Sequence, residues 1–118
     1  MLLPGYFSIG EELYIPDYRY KKITDDTSGT EEVVWQPTSG KHLRIMTIIV
    51  SVDTAGTVEI KDGTAGTTIG VLEFETRKTM PFTLGAEFTL PVDHVLSVKF
   101  TVDAGTGTCH ITAFGQEK

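Results

Sequence analysis

The residue types that most often carry out chemistry are few in this chain, and they lie far apart. Its three histidines, His42, His94 and His110, fall in different predicted elements. None of them forms the i, i+2 or i, i+4 pair that is typical of metal ligation. Asp93 and His94 adjoin a predicted strand start, which favours a turn over a catalytic dyad. The sequence therefore predicts no metal site and no histidine-based active site.

The possible nucleophiles and carboxylates point the same way. None of the five serines lies in a Gly-x-Ser-x-Gly motif, although a triad assembled from distant positions stays open. The carboxylates of residues 25–26 and 31–32 flank a turn, where we expect exposed polar pairs, and they lack the alternating pattern of a calcium loop. Cys109 shares its phase with Ile111 and is predicted to be buried and inert. We predict no enzyme and no cofactor.

Length, charge and cysteine content narrow the class of protein. The chain has 118 residues, the size of one domain, and a formal net charge of −6, which is opposite to the basic surface that nucleic acids require. No apolar run approaches the roughly 20 residues of a membrane span, and no secretory signal is recognised. A single cysteine excludes an internal disulfide. These features predict a soluble protein without nucleic-acid or membrane partners.

Apolar residues recur with period two in short runs bounded by Gly, Asp, Thr or Pro, which indicates strands and tight turns. The clearest strand covers residues 96–102, and further strands are predicted at 19–24, 33–35, 43–52, 58–61, 70–75, 82–84, 88–90 and 108–114. Trp35 ends one of them and is expected to anchor the core rather than to stack on a sugar. The pattern predicts an all-β, antiparallel, jelly-roll-like β-sandwich of about eight strands.

The longest apolar run, residues 43–52, changes phase along its length. Leu43 and Ile45 set one phase, whereas Met46, Ile48 and the following valines set the other. Such a change predicts a β-bulge, or burial on both faces as in a subunit contact.

Several turns can be placed from glycine. Asp62-Gly63 predicts a hairpin, because glycine accepts positive φ. The tetrapeptide Thr-Ala-Gly-Thr occurs at both 54–57 and 64–67, and residues 103–106 echo it. We interpret all three as turns and not as an internal repeat.

Residues 1–18 are predicted to form an extended N-terminal arm, and residues 19–118 a single β-sandwich domain. Pro and Gly interrupt the arm, so it alternates poorly and shows no clear hairpin. An arm of this kind gains order on another surface, either its own sandwich or a neighbour. The predicted interface residues are Leu2, Leu3, Tyr6, Phe7, Ile9, Leu13, Tyr14 and Ile15 of the arm, with Met46 and Ile48 of the apolar strand.

The segments 34–45 (VWQPTSGKHLRI), 56–63 (GTVEIKDG) and 82–85 (FTLG) resemble, in strand rhythm and turn placement, small jelly-roll virion proteins of tailed bacteriophages. The resemblance covers roughly residues 33–114. It implies a final hairpin between residues 95–102 and 108–114 that closes the sheet. It also implies a capsid decoration (cement) protein on the outer capsid surface, a homo-oligomer, commonly a trimer, bound to the major capsid protein or to neighbouring virion subunits.

Two other classes of function stay open. A carbohydrate- or receptor-binding module of a phage tail would share this fold and would carry exposed aromatic residues or a calcium site. A cupin-type enzyme would need clustered histidines with a carboxylate. The dispersed histidines make the enzyme the weakest of the three hypotheses.

Overall fold

A computed structural model describes residues 18–82 and 88–118 of the chain, together with the backbone of residues 7–9 and 12–14. Its strands are β1 (Phe7–Ile9), β2 (Glu12–Tyr14), β3 (Arg19–Asp25), β4 (Glu31–Trp35), β5 (Leu43–Val52), β6 (Gly56–Asp62), β7 (Thr67–Phe74), β8 (Lys78–Phe82), β9 (Phe88–Thr89), β10 (Leu96–Val102) and β11 (Cys109–Glu117). Among these described residues, no helix has the length and apolarity that a membrane crossing requires.

Two antiparallel sheets form a sandwich with jelly-roll connectivity. Sheet I has the strand order β3-β11-β5-β8, with β9 also on β5, and sheet II has the order β4-β10-β6-β7. Four strand pairs are nested in the sequence, so that each pair encloses the next: β3·β11, β4·β10, β5·β8 and β6·β7. Together they form one long antiparallel ribbon. When this ribbon wraps around the core, it also forms the pairs β11·β5 and β10·β6. The predicted fold class is confirmed, since this nesting defines a jelly roll.

The expectation of a final hairpin between residues 95–102 and 108–114 is wrong. β10 pairs with β4 and β6 in sheet II, whereas β11 pairs with β3 and β5 in sheet I. Residues 103–108 therefore connect the two sheets rather than two paired neighbours. Strand adjacency in sequence usually means pairing, but wrapping of the ribbon places these two strands on opposite sides of the core.

The core lies between the sheets, and Trp35 is its largest buried side chain. Both sheets contribute buried side chains: Val34, Trp35, Leu43, Ile45, Ile48, Val50, Val58, Ile60, Leu96, Val98, Phe100, Cys109, Ile111 and Ala113. The Trp35 indole N–H donates to Glu117 Oε2 at 3.2 Å, so its polar edge is satisfied inside the fold. The predicted role of Trp35 as a core anchor is confirmed.

A bulge in β5 accounts for the phase change seen in the sequence. In the β5·β11 ladder, Phe114 opposes Thr47 but Gly115 opposes Ile45, so Met46 is the extra residue. A Cβ on Gly115 would collide with the Arg44 carbonyl oxygen, so glycine permits the close approach of the two strands there. The predicted bulge is confirmed. It puts Ile45 and Ile48 on the same, inward face.

Of the three Thr-Ala-Gly-Thr-like segments, residues 64–67 and 103–106 form turns as predicted, and residues 54–57 do not. β6 and β7 reverse after Asp62, but the positive φ falls on Gly66 and not on Gly63. Gly63 is required for space instead, because a Cβ there would collide with Ser97 Oγ. Gly105 is a turn residue with positive φ. Gly56, however, is a buried residue of β6, so the first Thr-Ala-Gly-Thr segment is not a turn around its glycine.

Near the N-terminus, β1 and β2 pair antiparallel and form a two-stranded sheet that belongs to neither sheet of the sandwich. The sequence pattern indicated no clear hairpin here, and this expectation is wrong. Each of the two strands has three residues, which are too few to show periodicity in the sequence.

The two faces of β5 provide a test of the fold. Ile48 is fully buried, whereas its neighbour Ile49 is 37% exposed on the outer face. We expect Ile48→Ala to lower the free energy of unfolding by about 2–5 kcal/mol, because it leaves a cavity in the core. Ile49→Ala, a matched control, should cost less than about 1 kcal/mol. Urea unfolding measures both, and equal losses would contradict this orientation of β5.

Candidate interaction surface

The outward-facing residues of sheet I can be read directly from the strand register. At one end of the sheet, Tyr20 opposes Phe114, and Phe114 opposes Thr47. At the other end, a row of polar side chains crosses four strands: Thr24, His110, Ser51 and Thr79. The face therefore has an aromatic end and a polar end.

At the aromatic end, six residues line a shallow apolar hollow, which we call the aromatic surface: Tyr18, Arg19, Tyr20, Met46, Thr47 and Phe114. Tyr20 is 65% exposed and Phe114 38% exposed. Their ring centroids are 6.3 Å apart at an interplanar angle of 41°, which is a favourable tilted contact. Clustered exposed aromatic side chains of this kind mark an interaction site, since isolated ones need no explanation.

The β5 bulge helps to build this surface. Met46 is the extra residue of the bulge and is 41% exposed. It lines the same hollow as Phe114, which lies at the point where the register shifts. Without the bulge, strict alternation would give Met46 the same orientation as Ile48, which is inside the core.

The outer face of sheet II has a different character. Its rows carry charged and hydroxyl side chains, including an ion pair between Lys61 Nζ and Glu31 Oε1 at 3.5 Å. Thr68 donates to Glu59 at 3.3 Å. The exposed Val33 and Val71 lie on opposite edge strands and form no patch. This face is typical of a solvated surface.

Glu117 fixes the part of the fold that supports the aromatic surface. Its carboxylate accepts the backbone N–H of Thr38 at 2.7 Å and the Trp35 indole N–H at 3.2 Å, and it pairs with Arg19 at 3.6 Å. These contacts hold the pKa of Glu117 below its ordinary value. The Thr38 backbone bond is the largest cause, and it outweighs the opposing effect of burial. Because Arg19 lines the hollow, the network ties the aromatic surface to the core.

His94 and Asp62 form a hydrogen-bonded pair that was not predicted from the sequence. His94 Nδ1 lies 2.7 Å from Asp62 Oδ2. The other oxygen, Oδ1, accepts the backbone N–H groups of Thr64 and Ala65. Burial raises the pKa of Asp62, but the bonds from His94 and the turn outweigh it and leave the pKa lowered.

This pair lies at the β6–β7 turn, where Asp62 also accepts two backbone N–H groups. Within the described residues, Ser97 Oγ is buried and has no hydrogen-bond partner. The turn role expected for Asp93 and His94 is confirmed, since Asp93 has positive φ and accepts the Gly40 N–H at 2.7 Å.

Asp25 is buried, which corrects the expectation of an exposed carboxylate pair. It ends β3, and its Oδ1 accepts the Thr27 N–H at 2.9 Å, while Oδ2 has no partner. Burial and the charge of Asp26 raise its pKa. Asp26 itself is exposed, as expected. The strand continues one residue further than predicted, and this turns Asp25 inwards.

Cys109 opposes Asp25 in the ladder and is fully buried, which confirms its predicted location. Burial, with the charges of Asp25 and Asp53, raises the pKa of its thiol to about 12. A thiol in this state is a poor nucleophile and metal ligand. Within residues 18–82 and 88–118, no three His, Cys, Asp or Glu side chains are grouped so that they could hold a metal ion.

The predicted interface residues fall into three groups. Met46 is exposed in the aromatic surface. Ile48 is enclosed by its own chain, because the bulge turns it inwards, so it cannot contact a partner in this fold. The arm residues lie outside the residues whose side chains the structure describes: Leu2, Leu3, Tyr6, Phe7, Ile9, Leu13, Tyr14 and Ile15.

Sequence reasoning missed Tyr18, Tyr20 and Phe114 as surface residues. A signal was present in β11, where Phe114 shares the phase of the polar residues His110 and Thr112 rather than that of the buried residues. An aromatic residue in the outward phase of a strand indicates a surface with a partner, because the core does not require it.

Comparisons with known proteins assign no family. No family model and no curated protein matches the chain. Among solved structures, a subunit of the disulfide-linked endospore appendages (pili) of Bacillus is 18% identical with a TM-score of 0.46, covering 84% of this chain and 86% of that one. A chain of the extra small virus particle from the prawn Macrobrachium rosenbergii is 8% identical with a TM-score of 0.39, covering 92% and 86%. Similarities of this size assign no function.

The lowered pKa of Glu117 predicts a pH-dependent contribution to stability. The carboxylate stabilises the fold above its ordinary pKa of 4.5, and this contribution is lost as the pH falls through the lower, folded value. We expect Glu117→Gln to cost about 1–2 kcal/mol at pH 7, because the amide loses the charge-assisted bonds. The cost should shrink at pH 3. Urea unfolding at both pH values tests this, with exposed Glu75→Gln as control, and a cost independent of pH would contradict it.

Proposed function

We propose that the protein is a non-enzymatic structural protein of a virion, a capsid decoration (cement) protein that binds the outer shell and stabilises it as a homo-oligomer, with a trimer favoured. The observation that carries the proposal is the aromatic surface. One outer face of the sandwich holds an apolar hollow, while the other face is charged. An assembling subunit needs such a difference between its contact and solvated faces.

The composition of the hollow supports a protein partner. Tyr, Phe, Met and Arg are the side chains enriched in protein interfaces, and the hollow contains all four types. Aromatic side chains there can supply large contact areas at a small entropic cost. We propose that this surface is the assembly contact of the protein.

The location on the outside of a shell is supported by charge and by fold. The net charge of −6 repels the packaged genome and suits an exterior surface. Jelly rolls are common among capsid proteins. A decoration protein would act through mass action: it binds the assembled shell and not the disassembled subunits, and so it stabilises the shell.

A second candidate function is a carbohydrate- or receptor-binding module. The observation in its favour is the polar row at the opposite end of the same face of sheet I, where Thr79 donates to Ser51 at 2.9 Å and His110 Nδ1 lies 3.1 Å from Thr24 Oγ1. A face that carries both hydroxyl groups and an exposed ring such as Tyr20 can bind a sugar chain that contacts both. Binding on a glycan array that is lost in Tyr20→Ala would favour this function over shell decoration.

Binding to shells tests the proposed function. We expect the protein to cosediment with expanded empty shells of the phage whose genome encodes it, and Tyr20→Asp to weaken binding at least about tenfold, because it places a charge in the apolar contact. Val71→Asp is the matched control, since it alters a half-exposed residue on the outer face of sheet II. Failure of the unaltered protein to bind, or equal losses in the two variants, would contradict the proposal.

A further inference from the structure

We propose that the N-terminal segment, residues 1–17, of one copy docks on the aromatic surface of a second copy, so that the protein assembles head to tail. The inference rests on the proposed role of this surface as an assembly contact, and it names the occupant. Each chain then carries both parts of the contact, one N-terminal segment and one aromatic surface.

The N-terminal segment needs a surface to fold on. β1 and β2 pair only with each other, and an isolated two-stranded hairpin of three residues per strand is marginal in water at best. The segment is nevertheless rich in large apolar side chains: Leu2, Leu3, Tyr6, Phe7, Ile9, Leu13, Tyr14 and Ile15. Such a hairpin becomes stable when one of its faces packs on an apolar partner.

The aromatic surface offers that partner. It is shallow, mainly apolar and formed mostly by strand residues of sheet I, with Tyr18 directly before β3. Tyr18, Tyr20 and Phe114 present aromatic rings there, and Met46 adds an adaptable side chain. A short hairpin lying across strands β3, β11 and β5 can cover this area.

The charges of the two halves are complementary. Residues 1–17 contain Glu11, Glu12 and Asp17 and no lysine or arginine. Arg19 lines the aromatic surface, and the exposed Lys22 occupies the outer row next to Tyr20 and Phe114, in a protein that is acidic overall. Opposite charges at the rim of an apolar contact guide and orient docking.

The short link to the sandwich favours a second copy over the same chain. Only residues 15–17 separate the end of β2 from Tyr18, which itself lines the hollow. The four Cα–Cα steps from Tyr14 to Tyr18 span about 14 Å at most. A link this short leaves little chain with which the hairpin could reverse onto the hollow that its own Tyr18 lines, so we place the hairpin on a second copy. A head-to-tail contact of this kind can close into a ring such as a trimer.

A complementation experiment with full-length chains tests the inference. The surface variant is Tyr20→Asp, which alters an exposed side chain and so spares the fold. The arm variant is Phe7→Asp with Tyr14→Asp, two residues that are directly opposite each other in the β1·β2 ladder and so share one face of the hairpin. We expect the unaltered protein to be oligomeric by light scattering. Each variant should self-associate at least about thirtyfold more weakly, which is the effect of losing one hot-spot aromatic contact.

Mixing the variants gives the decisive outcome. The surface variant retains an intact arm, and the arm variant retains an intact surface, so an equimolar mixture should form a two-chain species that cannot grow further. Val71→Asp, as control, should leave self-association unchanged. A monomeric unaltered protein, or a mixture that stays monomeric, would overturn the inference. The proposed shell binding is measured separately, so an oligomer that ignores shells would contradict only the decoration function.

Discussion

The β5·β11 ladder in the middle of sheet I is the constraint on which the rest of the structure depends. Apolar side chains at both ends of β5 must face the core. In the sequence, however, Leu43 and Ile45 are out of phase with Ile48, Val50 and Val52. A single extra residue, Met46, resolves the conflict, and Gly115 allows it because no Cβ stands between the strands. The same irregularity completes the core and leaves a methionine outside it, beside Phe114. Packing and the candidate interaction surface therefore have one origin.

The two faces of the sandwich differ strongly in character. Sheet II also shifts register, in its β10·β4 and β6·β7 ladders, but its outer face carries charged and hydroxyl side chains. Sheet I collects exposed aromatic residues at the end where its register shifts, and Glu117 connects that end to Trp35 and to Arg19. The exposed apolar hollow at this end of sheet I is suited to binding other surfaces.

The sequence predicted local features well and long-range ones poorly. Alternation was sufficient for β10, for the bulge in β5 and for the burial of Cys109, because these depend on period two alone. The two identical Thr-Ala-Gly-Thr segments show the limit: Gly66 lies in a turn, whereas Gly56 is packed under β10, and only tertiary contact distinguishes them. For the same reason, the sheet positions of β10 and β11, the inward turn of Ile48 and the meeting of Tyr20 with Phe114 could not be derived from spacing.

The aromatic surface is proposed as the contact through which this protein assembles, and hydroxyl-radical footprinting of the assembled and isolated protein tests this most directly. Met46, Tyr18, Tyr20 and Phe114 all carry oxidisable side chains and are exposed in the single chain. We expect oxidation of these four residues to fall severalfold on assembly, while that of Val71, on the opposite face, is unchanged. Equal oxidation of the aromatic surface in both states would contradict its role as the assembly contact.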